Sequence, residues 1–205
     1  MISRRDFVAA IALAMLWPGG ALRAEDAGAT PVSIIQSFYD ALLSTMKDGQ
    51  KLGFAGRRDR LAPAIRRSFN FALMTRLMVG PQWQNLPPEQ QHQLVDAFGS
   101  FSIATYANRF DDFSGESFTV DDTPVKLNNG DLIVKSQLVK SDGDPIELDY
   151  LMHEDNGRWL IIDVYLSGTV SELATRRSEF SSVMRRGGPA ALVQLLQQKA
   201  VELSS

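Results

Sequence analysis

Apolar positions along this chain follow two different periods. Between residues 30 and 46, Val32, Ile35, Phe38, Leu42 and Leu43 recur at helical spacing behind Thr30-Pro31. A capping residue followed by proline at the first helical position makes this an amphipathic helix. Residues 56–69 and 70–79 read as two shorter helices. The second has Asn70 as its cap, Phe71, Met74, Leu77 and Met78 as its apolar side, and Gly80-Pro81 as its stop. Leu86-Pro87-Pro88-Glu89 then opens a long helix to about residue 111, with Leu94, Phe98, Phe101 and Phe110 on or near one face. At a rise of about 1.5 Å per residue it would run roughly 30 Å, enough to cross a small domain.

After Ser114-Gly115 the period drops to two. Phe118 and Val120 alternate with polar neighbours, Leu132, Val134 and Leu138 form a second run, and Ile146, Leu148, Tyr150 and Met152 a third. Residues 159–166 make a fourth strand. Asn129-Gly130, Asp142-Gly143 and Asn156-Gly157 sit between the runs, each supplying the positive-φ residues of a tight turn. The pattern predicts a four-stranded antiparallel meander whose even-numbered residues, including Leu160, Ile162, Val164 and Leu166, share one face. Helices over 171 to about 186 and 189–203 follow. Helices on both sides of one sheet in sequence give an α+β layer fold, with helices packed on the sheet.

Of the 205 residues, the first 24 stand apart as a cleavable export segment: Arg4-Arg5 at the start, about ten apolar residues from Val8 to Trp17, and Ala21-Leu22-Arg23-Ala24 as the exit. That run is too short to span a bilayer, which takes ~20 residues. The paired arginines fit either a twin-arginine or a general secretory signal. Residues 25–205 form the single domain. Cleavage removes Arg4, Arg5, Arg23 and Asp6, leaving 18 bases against 23 acids, a net charge of −5 on 181 residues. Such a balance has no basic footprint for nucleic acid, and the bacterial periplasm is the inferred compartment.

Candidate chemistry is sparse. There is no cysteine, so disulfides and thiolate sites are excluded, and two histidines, His92 and His153, make no metal-ligand pattern. Both histidines read as surface residues. No nucleophile elbow or phosphate loop is present. Asp163 interrupts the apolar strand Leu160-Ile161-Ile162-Asp163-Val164. It is either a buried general base, with Tyr106 or Tyr150 as its partner, or a structural acid that pairs with Arg158 or Arg177 or caps a backbone group. Met74, Met78, Met152 and Met184 add adaptable side chains that suit either ordinary core or the lining of a pocket for a greasy ligand.

Several segments, in order, carry a family resemblance. They are Ser37-Phe38-Tyr39-Asp40-Ala41-Leu42-Leu43, Val79-Gly80-Pro81-Gln82-Trp83, Ala104-Thr105-Tyr106, Phe113-Ser114-Gly115, Phe118-Thr119-Val120, Asp163-Val164 and Arg176-Arg177-Ser178-Glu179-Phe180. Over about residues 31–200 the chain resembles the MlaC family of periplasmic lipid carriers, auxiliary components of lipid ABC transporters, and most of all its hopanoid-associated HpnM branch. Gly168-Thr169-Val170-Ser171 departs from the broad family, which has serine two residues after the glycine and not three. The resemblance implies a nuclear-transport-factor-like cone enclosing an apolar cavity for lipid tails, with no enzymatic activity and no cofactor. It implies a hopanoid or phospholipid ligand, and partners in inner-membrane and outer-membrane complexes between which the lipid is shuttled. The candidate lining is Phe38, Met74, Trp83, Phe98, Phe101, Tyr106, Leu138, Tyr150, Met152, Ile162, Val164 and Leu166, with a volume in the upper part of the ~300–1,000 Å³ typical of ligand sites. An enzyme using Asp163, or an adaptor that carries no lipid, are the alternatives.

Overall fold

The computed structural model describes residues 28–140 and 143–204. The export segment and Asp142 of the second turn pair lie outside the described residues. Helix α1, Pro31–Lys47, begins where the Thr30 hydroxyl accepts the Ser33 N–H, and it buries Ile35, Phe38, Tyr39, Leu42 and Met46 on one side. Helix α2, Gly49–Ser68, is broken at Gly53, where φ is 59° and ψ 178°, so its main body is the predicted segment that ends near residue 69. Asn70 separates it from α3, Phe71–Val79. Its side chain accepts the Leu73 N–H at 2.9 Å, and its own N–H donates to the Ile161 carbonyl at 2.9 Å. One residue thus starts a helix and ties it to the sheet. A 3-10 turn, Gly80–Asn85, leads into the long helix α4, Pro88–Arg109.

Among the described residues the sheet has seven strands, not four. They are β1 Ser117–Val120, β2 Val125–Lys126, β3 Leu132–Val134, β4 Ser136–Val139, β5 Ile146–Asp155, β6 Arg158–Leu166 and β7 Val170–Ser171. The meander itself is antiparallel throughout. The extra strands have local causes. Lys135 divides the second predicted run, yet β3 and β4 keep one register on β5, with Val134 opposite Tyr150 and Gln137 opposite Glu147. On the edge, β1 pairs with β4 and β2 with β3, and the chain between them holds Pro124, which has no N–H to give a ladder. Beyond β6, Ser167 and Gly168 both take positive φ, 51° and 67°, and turn the chain back so that β7 pairs with Tyr165 and Leu166. Asn156 and Gly157, at 52° and 78°, close the β5–β6 hairpin as the sequence predicts.

The even-face rule fails partway along β6. The register slips between Leu151 and Met152, so Met152 faces Ile161 and not Ile162. Ile161 is therefore fully buried while Leu160 is only half-buried opposite His153, and Ile161, Ile162, Asp163 and Val164 are all buried in succession. A bulge of this kind twists the strand and lets both parities reach the interior.

Helix α5, Glu172–Glu202, carries a second break at Gly188, with φ 68° and ψ −167° and Pro189 next to it. These are the two terminal helices that the sequence predicts. Lys199 Nζ lies 2.9 Å from Glu179 Oε1, although 20 residues of straight helix would separate them by about 30 Å. The two halves therefore fold back on each other as a helical hairpin. Inside, aromatic rings from the helices meet the sheet. Phe38 has its ring centroid 5.4 Å from Tyr106, 5.5 Å from Phe69 and 6.3 Å from Tyr150.

Candidate functional site

One apolar pocket lies where α4, the α2–α3 junction, strands β5 and β6 and the start of α5 converge. Phe98, Phe101, Ser102, Thr105, Tyr106 and Arg109 line it from α4. They recur three or four apart, so a single stripe of the helix faces inward. Phe69, Phe71 and Met74 form the opposite side. Leu148 with Leu166 and Tyr150 with Val164, two cross-strand pairs, make the floor. Glu172, Leu173 and Arg176 close it from the first turns of α5, and Phe110 completes the rim.

The walls are apolar and the charge is at the edge. Arg109 is exposed, and Glu172 and Arg176 are half-buried. The Arg176 guanidinium sits 5.3 Å from the centre of the Phe101 ring and donates to Glu179 at 2.9 Å, with Glu172 at 3.5 Å. Burial pushes the Glu179 carboxyl up, but its hydrogen bonds with Lys199 and Arg176 outweigh that and leave it below its ordinary value. The pocket rim is thus a charged network resting on an aromatic wall.

Phenols in the interior are held neutral. Burial raises the Tyr39 phenol to about 12 and pushes the Tyr106 and Tyr150 phenols well above their ordinary value. Tyr39 Oη lies 2.6 Å from Ser136 Oγ, whose own O–H donates to the Leu148 carbonyl. Among the described residues every buried side-chain nitrogen and oxygen has a hydrogen-bond partner. Among those residues no cluster of three or more His, Asp or Glu side chains is placed to hold a metal ion.

Seven of the sequence candidates line this pocket: Met74, Phe98, Phe101, Tyr106, Tyr150, Val164 and Leu166. Five do not. Phe38 is the hub of the ring cluster behind it, and Met152 and Ile162 are buried at the β5–β6 slip. Leu138 is half-buried opposite Phe118 on the sheet edge, and Trp83 is half-buried on the 3-10 turn, its carbonyl accepting from Gln91. The pocket measures about 130 Å³, well below the expected volume, because the Phe38, Phe69, Tyr106 and Tyr150 rings fill much of the interior. The rim residues Arg109, Glu172 and Arg176 were missed. Their signal is the helical spacing Phe101, Thr105, Arg109 on α4 and Glu172, Arg176 on α5.

Asp163 does not line the pocket. Its carboxylate accepts from the backbone N–H groups of Val164 and Leu173, at 2.7 and 3.0 Å, and from the Ser171 hydroxyl. It is the structural cap of the two readings, and the enzyme alternative loses its candidate base. His92 is exposed, and His153 Nδ1 lies 2.7 Å from Asp131 Oδ1 just beyond the last β3–β5 pair, a paired residue instead of a freely solvated one.

No curated protein matches the chain. A solved structure does: the phospholipid-binding protein from Ralstonia solanacearum in complex with a phospholipid, at 25% identity and a TM-score of 0.74, over 86% of this chain and 100% of the other. The family defined by the MlaC protein matches residues 36–198, a span that runs from α1 through both halves of α5 and takes in every element lining the pocket. By that match the chain belongs to the MlaC family.

Proposed function

We propose that this protein is a lipid carrier that shelters an acyl tail in the pocket between the sheet and helices α3 to α5, with the lipid head at the Arg109–Arg176 rim. The observation that carries this reading is the pocket itself: apolar walls from five elements and charge confined to the mouth. Likeness to a protein solved with a phospholipid bound supports it. Each methylene removed from water contributes about 0.8 kcal/mol, so a tail leaves a bilayer slowly unless a protein covers it. An apolar pocket supplies that cover without chemistry, which agrees with the capping role of Asp163.

The finer reading places the carrier in the periplasm after cleavage of the export segment, moving lipid between inner-membrane and outer-membrane complexes that open the pocket on docking. Arg109 and Arg176 stand at the mouth beside Glu172, and likeness to a protein solved with a phospholipid favours a phosphate head over an uncharged one. A phospholipid is therefore the ligand proposed. The hopanoid of the HpnM branch is the competing cargo. Mass spectrometry of an organic extract of the protein, gently purified from its native host, tests both points. Phospholipid in the extract is the expected result. A hopanoid would keep the carrier and replace its cargo, and an extract without lipid would favour the adaptor.

A further inference from the structure

A groove of about 340 Å³ lies where α3, the 3-10 turn and α5 meet. Its floor is Met78, Phe180, Met184 and Leu192, all buried. Arg177 and Arg185 stand at its edge, both exposed, and none of the residues lining it is a carboxylate. Polar and apolar groups share the lining, which suits a peptide, with its polar backbone and mixed side chains, and not an acyl tail.

The charge at this edge is uncompensated, although the chain as a whole is acidic, with 24 Asp plus Glu against 21 Lys plus Arg. On the same helix Arg176 is paired with Glu172 and Glu179, and Lys199 with Glu179, whereas among the described residues Arg177 and Arg185 have no ion-pair partner. Arg177 is also held in place. Its guanidinium lies across Gly80, with Nη2 3.3 Å and Nε 3.9 Å from where a β-carbon would stand, a position open to it because residue 80 has no side chain. Eight residues of helix set the two arginines about 12 Å apart along α5. Two positive side chains so placed call for a partner that brings two negative ones.

An extended segment meets that spacing. Its residues rise about 3.3 Å each and alternate faces, so the first, third and fifth share one face over about 13 Å. A sequence acid-x-apolar-x-acid therefore sets its carboxylates over the two guanidinium groups and the apolar side chain between them over the buried floor. Each arginine can fork onto a carboxylate through paired N–H groups, and an apolar anchor seated in a pocket is the usual centre of a tight interface. A bilayer, by contrast, offers its charge in a plane and leaves the recessed floor unfilled.

We propose that this groove docks an extended acidic segment of a protein partner, with carboxylates on Arg177 and Arg185 and an apolar side chain above Met78 and Phe180. This rests on the carrier reading above for the existence of a partner. The location bears on the cargo: Phe180 on the groove floor meets Phe101 of the first pocket edge to face at 6.1 Å, and Met78 lies one turn from Met74 of that pocket. A docked segment thus presses on a wall of the first pocket.

Photo-cross-linking in the native host tests this, with p-benzoylphenylalanine in place of Gln82, an exposed residue of the groove. Mass spectrometry of the adduct should identify a protein segment of the form acid-x-apolar-x-acid. Adding Arg177→Glu and Arg185→Glu should cut the adduct at least tenfold while the lipid extracted from the purified protein is unchanged, and replacing the two acids of the captured segment by lysine should restore it. No adduct, an adduct with phospholipid alone, a captured segment without acidic residues, or an adduct that survives the double charge reversal at full strength would each overturn the docking groove. If the protein still yields lipid on extraction, the carrier reading stands in all four cases. An acidic segment captured by a protein that yields no lipid would instead keep the docking groove and overturn the carrier reading.

Discussion

Asp163 on β6 accepts the backbone N–H of Leu173 at 3.0 Å, and the Ser171 hydroxyl between them donates to the same carboxylate while accepting the Ala174 N–H at 2.9 Å. One buried acid therefore docks the start of α5 on the sheet, beside the rim residue Glu172. A helix N-terminus carries unpaired N–H groups and a partial positive charge, and a carboxylate satisfies both. Asp163→Ala should lower stability by about 1–3 kcal/mol, the range for losing charged hydrogen bonds to buried donors. Urea denaturation measures it. Lipid binding by the folded fraction should be unchanged, and a loss of lipid transfer at full stability would return Asp163 to a functional role.

All four tyrosines, Tyr39, Tyr106, Tyr150 and Tyr165, have phenols raised above the ordinary value of 10.0, first of all by burial. Each binds its proton more tightly folded than unfolded. The unfolded chain therefore ionises first, and stability is complete below about pH 10 and falls as the pH rises toward the folded values. At pH 10 tyrosinate absorbance of the native protein should stay well below that of the unfolded chain, and at higher pH it should rise together with unfolding. A phenol titrating near 10 in the folded state would contradict the packing of that ring.

Phe38 and Leu166 separate core from pocket. Phe38→Ala removes a fully enclosed ring from the centre of the aromatic cluster and should cost about 3–5 kcal/mol in thermal or chemical unfolding. Leu166→Trp, at a half-buried position on the pocket floor, should cost only about 1 kcal/mol yet reduce co-purifying lipid severalfold. Equal effects of the two substitutions on lipid content would argue against the pocket as the binding site.

Gly188 makes the reversal that brings Glu179 within 2.9 Å of Lys199. Its φ of 68° with ψ of −167° is open essentially to glycine alone, so Gly188→Ala should destabilise by about 1–3 kcal/mol. Because hydrogen bonds to Lys199 and Arg176 hold Glu179 below its ordinary 4.5, the pair stabilises the hairpin fully above that pH and is lost as the pH falls through the lower folded value. Lys199→Met should flatten this part of the acid-unfolding profile. An unchanged profile would mean the contact contributes nothing in solution.

Elements whose cause is local were legible in the chain. Thr30-Pro31 and Asn70 start helices, Asn156-Gly157 makes the tight hairpin, and Gly188-Pro189 divides the last helix, because capping, positive φ and a missing N–H act within a few residues. The stripe of α4 could be read the same way, from spacing alone, as far as Phe98, Phe101 and Tyr106. What the tertiary structure decided depends on residues far apart in sequence. The slip that sets Ile161 opposite Met152 arises between two strands, and the break at Lys135 appears only against its neighbours. Whether Phe38 lines a pocket or fills one depends on rings from α4 and β5 that arrive by different routes. Periodicity tells which face of an element is apolar. How closely two such faces approach, and so how much space they leave for a lipid, is set by the volumes of side chains that meet only after folding.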